Sequence, residues 1–305
     1  MSTILVTGGA GFIGSNFVRL FRKKYKIINF DKLTYAAQAI PGVIKGDIAN
    51  KKQVEAVVKK YHPDYLVNFA AETHVDRSIH GHADDFVKTN VHGVFTLLEA
   101  IGKFGIKKYI QVSTDEVYGD VEVNSKKKFT EDSLLRPSSP YSSTKAAGDL
   151  LCMSYFRTYG TPVLITRGSN TYGPRQFPEK LIPFFVLRML QKKKMPLYGD
   201  GKNTRDWLFV EDHCRAIELA LTKGTPGTIY NISADEYHTN YEIAQRIARH
   251  FGQGPEVIEY VADRPGHDRK YAPNSTKLRR ELSWKPKVKF DDAFEKTLEW
   301  FHKNL

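Results

Sequence analysis

Two periodicities run through the first half of the chain, and an element begins or ends where one gives way to the other. The apolar run at residues 3–7, centred on Ile4, Leu5 and Val6, reads as a buried strand, and a helical stretch follows it to about Lys23. A second strand at Lys26–Phe30, ending in Asp31, completes a βαβ unit. Strand-like runs at Tyr65–Ala70, Lys108–Val112 and Val163–Arg167 then alternate with helix-like segments at 51–60, 85–104 and 142–158. Strands that each need a crossover helix before the next lie parallel, so the pattern predicts a doubly wound α/β sheet with helices on both faces.

After Asn170 the alternation loosens into segments punctuated by Gly173-Pro174, Pro178, Pro183, Pro196 and Gly199-Asp200-Gly201, a composition common in loops that form a binding surface. A late strand at Gly227–Ile232 and helices near 240–251 and 291–303 describe a chain that returns to the sheet before finishing in a lobe. The expected architecture is a Rossmann-type doubly wound parallel sheet over residues 1–170, rejoined by segments near 205–233, with a smaller α/β C-terminal substrate lobe over most of 171–305.

The first strand runs directly into Gly8-Gly9-Ala10-Gly11-Phe12-Ile13-Gly14, which satisfies GxGxxG at Gly9, Gly11 and Gly14 at the mouth of a helix. Small residues there let the backbone turn sharply and approach a pyrophosphate, while the helix N-terminus offers free N–H groups and positive dipole. Asp31, at the end of the second strand, can accept hydrogen bonds from both adenosine ribose hydroxyls and repels a 2′-phosphate, which favours NAD over NADP. Lys32 beside it partly offsets that repulsion, and Asp47 in Gly46-Asp47-Ile48 is a candidate for the adenine amine.

Tyr141 and Lys145 form a YxxxK spacing that places both on one face of a helix. An ammonium beside the phenol, together with an oxidised nicotinamide, favours the phenolate and makes Tyr141 a base for a hydroxyl proton. The strand Tyr109–Val112 ends in Ser113-Thr114-Asp115-Glu116, at the carboxyl edge where parallel sheets hold their ligands. Thr114 can share a hydrogen bond with a reacting hydroxyl, and Asp115 with Glu116 can supply an acid and a base.

Composition removes several other functions. The N-terminus enters a strand without a charged leader, no run of 18 or more apolar residues occurs, and 41% of residues are hydrophobic, so a cytoplasmic globular protein with no membrane partner is expected. Two cysteines, Cys152 and Cys214, belong to no CxxC pair, and the histidines form no HExxH, so no metal is expected. The net charge of +12 sits partly in runs such as Lys126–Lys128 and Lys192–Lys194; with no nucleic-acid module in view, it fits a diphosphate ligand better than nucleic acid.

The segments TGGAGFIGSN (7–16), NFAAETHVDRSI (68–79), VSTDEVYGD (112–120), SPYSSTKAAGD (139–149), RGSNTYGPRQFPEKLIP (167–183), LYGDGKNTRDWLFVEDH (197–213) and DRPGHDRKYA (263–272) together resemble the dTDP-glucose 4,6-dehydratase family of extended short-chain dehydrogenases/reductases. The resemblance covers almost the whole chain. It implies a nucleotide-sugar substrate and NAD regenerated in each turnover. It also implies that Thr114 is a hydrogen-bonding partner, Asp115 the general acid, Glu116 the general base, and Tyr141 with Lys145 the oxidising pair. Cofactor contacts are implied for Gly8, Gly11, Phe12, Ile13, Gly14, Asp31, Lys32, Thr34, Asp47, Ile48, Ala70, Tyr141 and Lys145. Substrate contacts are implied for Ser78, Thr114, Asn170, Lys180, Leu181, Pro196, Arg205, Asn240, Arg264 and His267, with Arg205 and Arg264 suited to a diphosphate.

The segment AAQAIPGVIK (36–45) is shorter than is usual in that family, and the chain ends at Leu305 before its customary extension. A changed loop at the adenosine end and a more open nucleotide lobe are the expected consequences. The resemblance further implies a homodimer formed by helices near 85–104 and 142–158, although Leu97, Leu98, Leu151 and Met153 could equally face the protein's own sheet. A UDP-sugar 4-epimerase or a UDP-glucuronate decarboxylase would share the glycine turn and YxxxK without needing the Asp115-Glu116 pair. An NAD-binding regulator would need only the glycines.

Overall fold

The computed structural model describes all 305 residues. Seven parallel strands form the main sheet: β1 (Thr3–Thr7), β2 (Lys26–Asp31), β3 (Ile44–Lys45), β4 (Tyr65–Asn68), β5 (Lys108–Thr114), β6 (Val163–Gly168) and β10 (Ile229–Ile232). Their order, β10-β6-β5-β4-β1-β2-β3, runs outward from β1 in both directions. The crevice at the carboxyl ends of β1 and β4 is therefore the switch point at which such sheets hold ligands.

The period of two along β1 is spent on two cores. Ile4 and Val6 pack in the layer made with α1 (Phe12–Phe21) and α8 (Val210–Lys223), whereas Leu5 packs against α2 (Lys51–Tyr61), α5 (Val94–Phe104) and α6 (Pro140–Tyr159). Burial of each such side chain contributes about 1.5–3 kcal/mol, and a one-residue slip would exchange the two faces, so the strand's register is strongly fixed.

The lobe is built from a three-stranded sheet of β7 (Asn170–Tyr172), β9 (Thr204–Phe209) and β11 (Tyr237–Thr239), and a parallel pair, β8 (Met195–Tyr198) with β12 (Ile258–Val261). Helices α7 (Leu181–Leu190), α9 (Asn240–His250) and α11 (Phe290–Asn304) cover these strands, and α10 (Thr276–Leu282) lies on β10. Phe185, Trp207, Ile243 and Phe294 of the lobe share one continuous core with Ile4 and Phe17 of the sheet.

The loosened pattern after Asn170 hides three helices, α7, α8 and α10. In α7, LIPFFVLRML is apolar on nearly every side and carries Pro183 in its first turn, so no polar face marks it as a helix. After the short helix α3 (Val75–Ile79), the expected single helix over 85–104 is three pieces: α4 (Ala83–Phe86), a π-helical stretch Val87–Gly93, and α5. The widened turn presents Asn90, whose side chain accepts from the Glu72 N–H (2.9 Å) and donates to the Glu72 carbonyl (3.0 Å) and to Thr144 (3.1 Å). Leu97 and Leu98 point into the protein's own core, whereas Phe95, Leu150 and Tyr159 on α5 and α6 are exposed.

Candidate active site

The glycine turn is a close-packed corner. Gly8 has a left-handed φ of 70°, and a Cβ on it would collide with the backbone of Ala70; a Cβ on Gly14 would collide with the Gly8 carbonyl. Gly11 caps α1 with no side-chain partner, so the first N–H groups of the helix, at Phe12 and Ile13, have no side-chain cap. Asp31 is buried at the end of β2, its Oδ2 accepting from Ala10 N–H (2.9 Å) and its Oδ1 from Leu33 N–H (2.7 Å). Lys32 is paired with Asp47 at 3.1 Å, so its ammonium already has a carboxylate partner.

Helix α6 brings the tyrosine to this cleft. Ser139 caps it in a reciprocal pair with Ser142 (3.1 and 3.0 Å), Pro140 occupies its first position, and the Tyr141 N–H donates to Ser78 Oγ (3.3 Å). Lys145, one turn on, donates from Nζ to the Val112 carbonyl at 2.7 Å. Spacing alone predicts a phenol drawn down by Lys145. The structure instead holds Tyr141 above its usual range, because burial and the Glu116 charge outweigh the hydrogen bond with Thr114. Lys145 is itself pushed down to about 8 by burial, against the pull of Asp149.

Thr114 ends β5 and caps the short turn Asp115–Tyr118, accepting from the Glu116 N–H at 3.3 Å. That turn points two carboxyls into the cleft with different surroundings. Asp115 is driven well above the ordinary carboxyl range by burial, with the charges of Glu116 and Asp206 adding to it. Its Oδ2 has no hydrogen-bond partner. Glu116 is also raised by burial, but Arg264, Lys180 and Arg205 pull it back. Tyr271 hydrogen-bonds Glu116 Oε2 at 3.5 Å and, more closely, Asp268 at 2.6 Å.

A cleft of about 310 Å³ joins these groups. Its walls hold Gly8, Gly11, Phe12, Ile13, Gly14, Asp31, Lys32, Thr34, Asp47, Ile48, Ala70, Thr114, Asp115, Glu116, Tyr141 and Lys145, together with Asn170 and Lys180. The other substrate-side residues lie outside its walls. Ser78 is buried and bonded to the Val75 carbonyl (2.6 Å); Leu181 opens α7, Pro196 lies in β8 opposite Glu259, and Asn240 opens α9. Arg205 stacks on Tyr271, 4.4 Å from the ring centre, and donates to the Asp268, Thr204 and Arg269 carbonyls, so much of its fork is already occupied. Arg264 reaches Asp76 at 3.3 Å, His267 Nδ1 meets Asp263 at 2.6 Å, and Lys180 donates to the Thr73 carbonyl at 2.7 Å.

Sequence reading missed His213 on α8 and Asn90 in the π-helical stretch. The His213 ring lines the cleft beside Gly168, pairs through Nδ1 with Thr171 (2.8 Å), and is held neutral by burial, pushed down to about 3. His213 closes the segment LYGDGKNTRDWLFVEDH (197–213) but has no role implied there, and no quoted segment contains Asn90; only the fold brings His213 to the cleft and Asn90 to Glu72 in its wall. Ser113 Oγ, Asp115 Oδ2, Asn170 Oδ1 and His213 Nε2 are all buried, unpaired and carried by residues of this cleft. Such orphaned groups call for a polar ligand, and a dinucleotide fits the set: backbone N–H groups and a tight turn for its diphosphate, Asp31 for a ribose, and a polar end beside Tyr141. No group of three or more His, Cys, Asp or Glu side chains gathers as a metal site, and no helix is long and apolar enough to cross a membrane.

Sheet, glycine turn, YxxxK helix and paired carboxyls define a dinucleotide-dependent enzyme of the extended short-chain dehydrogenase/reductase class. A family model described as GDP-mannose 4,6 dehydratase matches residues 5–297. A dTDP-glucose 4,6-dehydratase of Streptomyces niveus is 43% identical over 99% of this chain and 93% of its own. The crystal structure of a dTDP-glucose 4,6-dehydratase from Bacillus anthracis in complex with NAD superposes with a TM-score of 0.91 at 46% identity, covering 100% of this chain and 97% of that one. The chain belongs to the dTDP-glucose 4,6-dehydratase family. A UDP-glucose 4-epimerase from Thermus thermophilus in complex with NAD superposes equally well, with a TM-score of 0.92 at 30% identity and coverage of 99% and 100%. Backbone shape therefore does not separate the two activities, and the side chains of the site must.

Proposed function

We propose that this NAD-dependent 4,6-dehydratase converts dTDP-glucose to dTDP-4-keto-6-deoxyglucose by oxidation at C4, loss of water across C5 and C6, and reduction at C6. The observation that carries this reading is the unequal environment of two adjacent carboxyls. Asp115 is held toward its neutral form by burial, Glu116 and Asp206, whereas Glu116, also raised by burial, is pulled back by Arg264, Lys180 and Arg205. A neutral acid next to a cation-supported base is what an elimination needs and what an epimerisation does not.

NAD, when bound, supplies the hydride acceptor for C4, the hydride donor for C6, and a positive charge that favours ionised Tyr141. Tyr141 takes the C4 hydroxyl proton, with Thr114 sharing the hydrogen bond and Lys145 holding its charge nearby. The ketone at C4 acidifies the proton on C5, which Glu116 removes. Asp115 gives its proton to the departing C6 hydroxyl, and Glu116 returns a proton to C5 as C6 is reduced. Lys180, Arg205 and Arg264 support the reading as cations for a diphosphate, Asn170, Asn240 and His267 as polar partners for the remainder of the substrate, and Ser78, Leu181 and Pro196 as its nearby walls.

Substrate deuterated at C4, mixed with unlabelled substrate carrying heavy carbon, tests the sequence of steps. Deuterium is expected at C6, only on molecules that began deuterated, with one water lost. Deuterium returned to C4 with inversion and no loss of water would replace the dehydratase with a 4-epimerase. In Glu116→Gln, oxidation at C4 is expected to proceed and elimination to stall, so reduced nicotinamide accumulates on the protein.

We also propose a division of labour in which residues 1–170, with the returning segment near 205–233, hold the cofactor and most of 171–305 holds the nucleotide-sugar. A cytoplasmic homodimer completes the reading. Its support is the aromatic ladder of exposed Phe95, half-buried Tyr155 and exposed Tyr159 on α5 and α6, with Leu150 also exposed on α6. A monomer by light scattering at micromolar concentration would remove the dimer.

A further inference from the structure

The segment that follows β2, residues 33–38, crosses the cleft and is fastened at both banks. On the glycine-turn side, the Gln38 N–H donates to the Ala10 carbonyl at 2.7 Å and the Leu33 N–H to Asp31 Oδ1 at 2.7 Å. On the far side, Gln38 Nε2 donates to the Arg175 carbonyl at 3.2 Å and the Tyr35 hydroxyl to Glu179 Oε2 at 2.8 Å. The Tyr35 ring lies edge-on to Phe177 at 5.3 Å and under the Arg77 guanidinium at 4.9 Å. Thr34, Ala36, Ala37, Gln176, Phe177 and Glu179 all line the cleft, so the crossing forms part of its wall.

Two backbone positions give the crossing its shape at a conformational cost. Leu33, at its root, has φ 57°, and Arg175, whose carbonyl receives it, has φ 75°; neither is glycine. A left-handed bulky residue persists only where its surroundings hold it, and such strain gathers at ligand clamps. The root is also bonded to Asp31, the carboxylate proposed for the adenosine ribose.

We propose that residues 33–38 are a strap, latched by Tyr35 to Glu179 and by Gln38 to Arg175, that sets how slowly the dinucleotide leaves. The proposal deepens the proposed function, because a hydride taken from C4 and returned to C6 demands that the reduced cofactor stay in place between the two transfers. Asp31 serves both the cofactor and the root of the strap, so filling the site and closing the strap reinforce each other. Tyr35 and Glu179 are positioning residues here: they act on the rate of release through the strap.

The test follows exchange of isotope-labelled NAD from loaded full-length protein into excess unlabelled NAD, without any sugar, by mass spectrometry of the denatured sample. Losing a hydrogen bond to a carboxylate and the ring packing together, Tyr35→Ala is expected to exchange about tenfold faster than wild type. Tyr35→Phe, which keeps the ring, should fall between, and Gln38→Ala should also accelerate exchange. Tyr260→Ala, an exposed tyrosine on β12, serves as the control and should not. During turnover of Tyr35→Ala, free reduced NAD should appear in solution while the KM for nucleotide-sugar stays put. If Tyr35→Ala proves unfolded by circular dichroism, Tyr35→Phe and Gln38→Ala carry the test alone. Exchange at the wild-type rate in the folded variants overturns the strap, whatever the sugar chemistry turns out to be, since exchange is read without sugar.

Discussion

On the glycine-turn bank of the cleft, the groups proposed to meet a ligand are backbone N–H groups and the carboxylate of Asp31, whereas the opposite, proposed sugar-nucleotide bank draws on Lys180 in the cleft wall and on Arg205, Arg264 and His267 beyond it, all from separate segments. The first bank is fixed by the sheet: Thr7 pairs in register with Asn68 and Phe30, and Gly8 follows immediately. The second bank is fixed by its side chains holding one another, as Arg264 holds Asp76 and His267 holds Asp263. Damage to the first should therefore register as lost fold or lost cofactor, and damage to the second as lost affinity for sugar nucleotide. Between them stands the machinery that touches both, and the largest effects belong there.

Tyr141→Phe should lower kcat by roughly 10²–10⁴-fold, the usual loss on removing a general base, while NAD content and nucleotide-sugar affinity persist. Deleting one oxygen keeps the ring against Phe86, 6.3 Å away edge-on. Single-turnover absorbance of reduced nicotinamide would check it; wild-type amplitude and rate would demote Tyr141 to a helix residue.

Asp149 sits one turn after Lys145, behind the site. It pairs with Arg167 at 2.9 Å with both side chains buried, and Arg167 reaches on to Tyr118 (2.8 Å) and through it to Asn231 (2.8 Å). Removing one member of a buried pair leaves the other charge uncompensated, so Asp149→Asn should cost about 3–5 kcal/mol in urea unfolding. Joint replacement of Asp149 and Arg167 by apolar residues of similar volume should cost less than Asp149→Asn alone.

How far the sequence could be read follows the same division between the banks. The βαβ unit, the glycine turn, Asp31 and YxxxK were legible because each is a local pattern whose chemistry depends on a few consecutive residues or one helical turn. The unequal surroundings of Asp115 and Glu116 were not legible, since Asp206, Arg264, Lys180 and Arg205 reach them only through the folded lobe. His213 and Asn90 were silent for the same reason. Helix α7 was hidden by the absence of a polar face, and the π-helical stretch by a bulge that leaves the sequence period almost unchanged. The 36–45 segment was visible as a departure, but the reach of its Gln38 to Arg175, and of Tyr35 just before it to Glu179, was not.

Arg264→Ala should act on the second bank and on Glu116, and leave the glycine-turn bank untouched. It removes a cation facing Glu116 and a candidate diphosphate donor, a loss of about 1.5–3 kcal/mol if the hydrogen bond is to a charged group, so KM should rise while bound NAD is unchanged. Glu116 works as a base only when ionised, and activity falls as pH drops through its pKa. With one fewer cation that pKa rises further, so the acid limb of the kcat profile should move to higher pH. An unmoved limb would place Arg264 too far from Glu116 to matter.

The smallest effect should come from Lys32→Ala, and it sharpens the contrast between the banks most finely. Lys32 follows Asp31 in the chain and invites a role in choosing between NAD and NADP, but it is half-exposed and already paired with Asp47 at 3.1 Å. Exposed pairs of this kind are worth about 0–1 kcal/mol. Removing the ammonium leaves Asp31 where its two backbone N–H donors, Ala10 and Leu33, hold it, and those donors do not depend on Lys32. NAD affinity by titration should therefore shift by no more than about fivefold, as that energy range implies, and NADP should remain the poorer ligand because the carboxylate still faces its 2′-phosphate. A variant that binds NADP as well as NAD would show that the Lys32–Asp47 pair, and not the backbone-held carboxylate, sets the cofactor choice, and the glycine-turn bank would then depend on side chains as much as the opposite one does.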